Sequence, residues 1–166
     1  MVTNHYTKEI YPSSYSNIVN FTLETTTHTI TDAYTPADST SYATLNISTT
    51  ANTTNTIYFN FDTSVIPANA INIRISCTAR ARTSTAQTNR ISMATVRLYN
   101  GSTALGSNVS ILDQSTNPAV KTLASDVSMN DLSDIKVFVN IHRSSNKQAA
   151  QCNFYGSTLT VDYDVY

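Results

Sequence analysis

The stretch INIRISCTARAR, residues 71–82, decides the fold class. Isoleucine, cysteine or alanine occupies every odd position from 71 to 81, and asparagine, serine, threonine or arginine occupies every even position. Successive side chains of a β-strand point to opposite faces, whereas an α-helix repeats every 3.6 residues. The stretch is therefore predicted to be a strand with one buried face and one face in water.

The same two-residue period recurs along the chain. It is clear over residues 135–142 and 155–165, and turn sequences such as Asn100-Gly101 separate the apolar runs. Weaker alternating segments cover residues 17–23, 28–33, 43–48, 56–61, 90–99, 107–112 and 120–124. About eight to ten short strands at near-regular spacing predict an all-β sandwich or barrel. Their uneven lengths favour an antiparallel β-sandwich with a jelly-roll-like arrangement.

Composition limits the classes of function. The chain has 166 residues, a length that suits one domain. Its formal net charge of −1 argues against electrostatic binding of nucleic acid. Only 13% of residues are charged, about half the ~25% of a usual soluble domain. No run approaches the ~20 apolar residues of a membrane-spanning helix, so membrane insertion is not expected. Residues 1–10 are polar, so no secretion signal is expected.

The N-terminal part differs from the rest. Alternation is less regular over residues 1–35 than over residues 36–166, which we assign to the sandwich domain. The first part forms either the first strands or an extended arm that attaches to a neighbouring protein. The chain has ten tyrosines and no tryptophan. Tyrosine is enriched at protein interfaces, so Tyr6, Tyr11 and Tyr15 are predicted to bind a partner.

Three segments carry a family resemblance. FDTSVIPANAINI (61–73), VRLYNGSTALGS (96–107) and FYGSTLTVDY (154–163) resemble segments of β-sandwich domains in structural proteins of bacteriophages and prophages. The resemblance spans roughly residues 40–166. It implies a non-enzymatic virion component, assembled in the host cytoplasm, such as a tail, fibre or head-decoration protein. Its expected partners are other virion proteins and symmetry copies of itself.

These domains are also similar to the jelly-roll modules of carbohydrate-binding proteins. That likeness implies an alternative function, the binding of a host-surface or environmental glycan. Aromatic side chains on exposed strand faces would contact the sugar, and the candidates are Tyr99, Phe138 and Tyr155. The absence of tryptophan departs from lectin-like relatives.

A basic row is predicted on the polar face of residues 71–82. Arg74, Arg80 and Arg82 share one phase of the alternation. They either face solvent with cross-strand partners or contact an acidic partner subunit or a bacterial surface polymer. We include them among the candidate partner-binding residues.

No arrangement of residues indicates catalysis, a cofactor or a metal, and the protein is not expected to be an enzyme. The histidines and cysteines lack metal-ligand spacing, and no nucleophile motif or phosphate-binding loop occurs. Clustered aspartates at 126, 131 and 134, or at 162 and 164, leave a structural calcium ion as a less favoured alternative. Cys77 and Cys152 are predicted to be buried free thiols, with a disulfide between them as the alternative.

Overall fold

The computed structural model describes residues 2–83 and 90–166. This part of the chain forms eleven strands and two short 3₁₀ helices, Ile30–Ala33 and Thr63–Val65. The strands are β1 Asn4–Ile10, β2 Pro12–Val19, β3 Thr22–Leu23, β4 Ala43–Ile47, β5 Thr54–Phe61, β6 Ile71–Thr83, β7 Ile91–Asn100, β8 Thr103–Ser110, β9 Lys121–Ser128, β10 Ile135–Arg143 and β11 Ala150–Val165. Within the described residues, no helix has the length and apolar character needed to cross a membrane.

The strands form two antiparallel sheets. Sheet A has the order β3-β4-β11-β6-β9, with β1 also paired to β11, and sheet B has the order β2-β5-β10-β7-β8. From β4 onward, the orders β4-β11-β6-β9 and β5-β10-β7-β8 are those of a two-sheet jelly roll. The predicted all-β antiparallel sandwich is therefore confirmed.

The strand count exceeds the expected eight to ten because the N-terminal segment contains three strands. Residues 4–9 of β1 are all exposed, so their sequence lacks the alternation that marks a half-buried strand. The alternating segment at 28–33, expected to be a strand, instead contains the first 3₁₀ helix. There the Asp32 carboxylate accepts a hydrogen bond from the Thr29 backbone N–H at 2.9 Å, which favours a turn.

The core lies between the two sheets. The inward side chains of β10, from Ile135 to Ile141, are almost completely buried, and those of β6 from Ile75 to Ala81 are buried equally well. Phe59 of sheet B stacks on Phe154 of sheet A with ring centroids 4.2 Å apart. This contact joins the sheets directly at the centre of the molecule.

The long strand β11 holds the N-terminal region in place. β4 pairs with its residues 150–154, and β1 pairs along the same edge with residues 159–165. Between them the Thr35 carbonyl accepts a hydrogen bond from the Ser157 N–H at 3.2 Å. Gly156, at φ +125°, permits this approach, since a Cβ there would overlap the Thr35 carbonyl oxygen. Residues 4–23 thus contribute strands to both sheets, while an attachment role for residues 1–35 stays a prediction.

Candidate functional site

Exposed apolar side chains concentrate near the N-terminus. In the part of the chain that the structure describes, eleven large hydrophobic residues are exposed, and six of them precede Phe21. These six are Val2, Tyr6, Tyr11, Tyr15, Ile18 and Val19. Most of the remaining apolar surface is scattered, so the first two strands stand out as a surface suited to contact with another protein.

Strand β2 is the edge of sheet B and carries three of these side chains. Tyr15, Ile18 and Val19 are 39%, 37% and 49% exposed, and we call them the β2 surface. Tyr15 is opposite the inward residue Phe59 and Val19 is opposite the outward residue Thr56, so this surface extends around the edge of the sheet. Residues 10–23 contain no charged side chain. Edge strands are commonly protected by charges or bulges. Here the register with β5 shifts between Pro12 and Ser14 and again between Ser16 and Val19, so the edge has two irregularities and no charges.

The other two N-terminal tyrosines lie on neighbouring elements. Tyr6, on β1, is opposite Tyr163 of β11, and their rings stack with centroids 5.6 Å apart. Tyr11 lies at the corner where the chain passes from sheet A to sheet B. Its hydroxyl donates to the Glu9 carboxylate at 3.1 Å, and this hydrogen bond raises the pKa of Tyr11. The three predicted tyrosines therefore occupy β1, the corner and β2 in turn.

The three arginines of β6 have different surroundings. Arg74 forms an exposed ion pair with Asp126 of β9, and this contact lowers the pKa of the Asp126 carboxyl. Arg80 is only 8% exposed and donates to the carbonyl oxygens of Pro118 at 2.7 Å and Ser39 at 2.9 Å. Arg82 is half-buried and contacts the 111–120 loop. The polar face of β6 is thus in water at Arg74 and covered by loops at Arg80.

An aromatic group occupies the outer face of sheet B. Tyr58 of β5 stacks on Phe138 of β10 with centroids 4.7 Å apart, and Tyr99 of β7 meets Phe138 edge-on at 5.6 Å. We call these three residues the ring cluster. Each is half-buried, whereas their strand neighbours Ile57 and Val137 point inward and are fully buried. The rings therefore pack on one another outside the core.

The structure brings together two of the three predicted glycan-binding residues, Tyr99 and Phe138. The third, Tyr155, lies in sheet A, is 5% exposed and packs beneath the Arg80 guanidinium at 4.5 Å. Tyr58 was not among the predicted residues. The sequence pattern could have identified it, because Tyr58 is an aromatic residue at an outward position between the core residues Ile57 and Phe59, as Phe138 is on β10.

Basic groups surround the ring cluster. Lys136 lies 4.6 Å from the centre of the Tyr58 ring and forms an ion pair with Asp134 at 2.9 Å. Arg97 is directly opposite Phe138 and donates to the Gly106 carbonyl at 3.2 Å. None of the ion pairs among the described residues involves Arg97. The five strands of sheet B contain no aspartate or glutamate, and Asp134, just before β10, is paired with Lys136, so among the described residues the Arg97 guanidinium is left as an uncompensated positive charge beside the rings.

Two polar atoms near the ring cluster lack partners. The Nε of Arg97 and the Oδ1 of Asn140 are covered by neighbouring atoms, and neither has a hydrogen-bond partner within the described part of the chain. Buried polar groups of folded proteins are nearly always satisfied. The Nε atoms of Arg82, Arg90 and Arg143 elsewhere in the described part of the molecule also lack partners, so at this face the Asn140 oxygen is the more distinctive of the two.

The thiols and the aspartates are placed for structural roles. Cys77 and Cys152 are free and buried, and burial raises the pKa of Cys152 to about 12. They lie opposite Leu159 and Thr83 on neighbouring strands, too far apart along β6 and β11 for a disulfide. Among residues 2–83 and 90–166, no group of three histidine, cysteine or acidic side chains could hold a metal ion. Three of the aspartates instead contact other side chains. Asp131 accepts a hydrogen bond from Ser133, Asp126 pairs with Arg74, and Asp134 pairs with Lys136.

In comparisons of the sequence with known proteins, no protein-family model matches the chain and no curated protein matches it either.

Proposed function

We propose that this chain is a non-enzymatic structural component of a bacteriophage virion, such as a tail, fibre or head-decoration protein. It acts by binding other virion proteins and symmetry copies of itself, and it is assembled in the host cytoplasm. The jelly-roll topology supports this proposal, since viral capsid domains use the same arrangement. The resemblance of residues 61–73, 96–107 and 154–163 to phage structural domains supports it as well.

The observation that carries the proposal is the exposed apolar surface of the first two strands. Fully burying one large apolar side chain contributes about 1.5–3 kcal/mol. Because the three side chains of the β2 surface are 37–49% exposed, covering the part that is still exposed contributes roughly 2–4 kcal/mol. The uncharged edge of β2 also offers backbone N–H and C=O groups to a partner strand. Apolar contact combined with strand pairing is a recurrent way for subunits to join.

The test replaces the three partly exposed side chains of the β2 surface. A triple variant, Tyr15→Ser, Ile18→Ser and Val19→Ser, is compared with a control variant, Val65→Ser and Leu112→Ser. The control residues are 50% and 40% exposed, and they lie at the end of the second 3₁₀ helix and just after β8. We expect the triple variant to lose incorporation into particles and self-association in solution. It should still unfold cooperatively on heating, at a lower midpoint, which shows that it is folded. Equal incorporation of both variants would contradict the proposal.

A second candidate function is carbohydrate binding, on a host surface or in the environment. It is favoured by the ring cluster, in which Tyr99 and Phe138 join Tyr58 on a solvent-facing sheet. Sugar-binding surfaces combine apolar area with a few polar groups of fixed position, and aromatic rings supply such area. The two functions are compatible, because a virion protein that recognises a glycan would need both surfaces.

A further inference from the structure

We propose that the outer face of sheet B binds an acidic polysaccharide. In this proposal, the ring cluster contacts the sugar rings and Arg97 binds a carboxylate of the polymer. The inference rests on the second candidate function, carbohydrate binding, and is independent of assembly through β2. It adds the chemical class of the glycan and the residue that selects it.

The strand register sets the size of the site. Phe138 lies between Tyr58 on one neighbouring strand and Arg97 on the other, and Lys136 lies in the same way between Asn60 and Tyr99. Residues directly opposite on neighbouring strands have Cβ atoms about 4.5–5.5 Å apart. Successive outward positions along a strand are about 7 Å apart. The rings and the two basic groups therefore lie within a patch about 10 Å across.

The polar groups beside the rings match the hydroxyl groups of a sugar. Asn140 is the next outward residue of β10 after Phe138, and its neighbours across the strands are Thr56 and Thr95. Its Oδ1 has no partner within the residues that the structure describes. A sugar has apolar C–H groups that can pack against rings and hydroxyl groups that can donate to an amide oxygen. A ligand of this kind packs directly on the rings, and its hydroxyl groups reach the covered Asn140 oxygen once that side chain turns outward.

The charges on this face select an acidic polymer over a neutral one. The ammonium group of Lys136 is compensated by Asp134, but the Arg97 guanidinium has no carboxylate among the described residues. Arginine binds carboxylates through paired N–H donors, and its attraction is strengthened where the surroundings exclude water. Since the strands of sheet B contain no acidic residue, a carboxylate placed beside Arg97 meets no like charge on them.

The experiment measures binding of the full chain to matched polymers. The acidic set is polygalacturonate, alginate, hyaluronate and polysialic acid, tested by affinity electrophoresis and calorimetry. Fully methyl-esterified polygalacturonate has the same sugar rings without the charge, and polyglutamate has the charge without sugar rings. We expect binding to at least one acidic polysaccharide, with at least tenfold weaker binding to the esterified polymer and to polyglutamate.

Variants separate the roles of charge and rings. Arg97→Gln is expected to weaken binding to the acidic polymer at least tenfold while leaving binding to the ester unchanged. Phe138→Ser is expected to weaken binding to both, and Tyr99→Ser serves as a second ring variant if the first is unstable. Tyr166→Ser, at a residue that is 64% exposed at the C-terminus, is the matched control and should bind as the parent does.

The outcomes distinguish this inference from the function on which it rests. Equal binding to the acidic and esterified polymers would overturn the acidic ligand and leave carbohydrate binding standing. Equal binding to polyglutamate would overturn sugar recognition, because charge alone would then explain the affinity. Failure to bind any of the acidic polysaccharides would overturn the inference, and failure to bind a neutral glycan array as well would overturn the second candidate function.

Discussion

Replacing Phe59 by alanine is expected to destabilise the protein by about 3–5 kcal/mol, the usual cost of removing a buried phenylalanine. Phe59 is completely buried and stacks on Phe154 of the facing sheet at 4.2 Å. The substitution leaves a cavity where the two sheets touch and removes an aromatic contact. For a domain of this length, that loss lowers the unfolding midpoint by about 6–20 °C.

Phe138→Ala is the matched control, since it removes the same side chain from the same sheet. Phe138 is half-buried on the outer face and contacts only the other members of the ring cluster among the aromatic residues. Its loss is expected to cost about 1–2 kcal/mol, from partial burial and ring contacts. Urea unfolding of the parent and both variants measures the difference. Equal destabilisation by the two substitutions would refute the assignment of Phe59 to the core and Phe138 to the outer face.

Two further predictions concern the attachment of the N-terminal region to β11. Gly156→Ala is expected to destabilise the protein by more than 1 kcal/mol, because the residue has φ +125° and its Cβ would meet the Thr35 carbonyl; thermal unfolding checks this. Gly101→Ala is the control for the clash, because Gly101 also has a positive φ, +59°, but its Cβ would meet no atom closer than 4.0 Å, so this substitution should cost less. The second prediction concerns the pH dependence of the stability of the fold. Hydrogen bonds from Asn72 and His5 hold the pKa of Asp164 below its usual range. A lowered pKa in the folded state stabilises the fold above about pH 4, and this contribution disappears as pH falls through the lowered value. The variant Asp164→Asn should therefore lose less unfolding free energy than the parent between pH 5 and pH 2. Urea unfolding at each pH measures this difference, and an unchanged pH profile would contradict the role of Asp164.

The strands of the core could be predicted because their two faces meet different surroundings. In β6 and β10 one face packs against the other sheet and the opposite face is mostly accessible, so apolar and polar residues alternate. The first strand is different, because all of its residues except Ile10 are exposed. Backbone hydrogen bonds to β11 hold this strand in the sheet, and backbone pairing leaves no pattern in the side chains from which the strand could be predicted.

Loops explain where the site predictions depart from the observed positions. Tyr155 and Arg80 belong to sheet A, whose outer face near them is covered by the loop segments containing Ser39 and Pro118. Residues 152–157 of β11 are consequently buried on both faces. Alternation reports which face of a strand a residue occupies, and it cannot report that a distant loop lies over that face. Tyr99 and Phe138 are only half-buried, because among the residues that the structure describes no loop covers the outer face of sheet B far enough to bury them.

The two proposed surfaces meet on the same sheet, and this affects how assembly would act on glycan binding. Ser16 of β2 is opposite Tyr58, which in turn is opposite Phe138, so the free edge of sheet B lies only two strand spacings, about 10 Å, from the centre of the ring cluster. A strand from a second copy added to β2 would extend sheet B and place another outer face beside the first. Each copy would then present its Arg97 and rings to the same polymer. Because a repeating polysaccharide can occupy both faces at once, the second contact forms at a high effective concentration, and weak binding by each subunit becomes strong binding by the assembly.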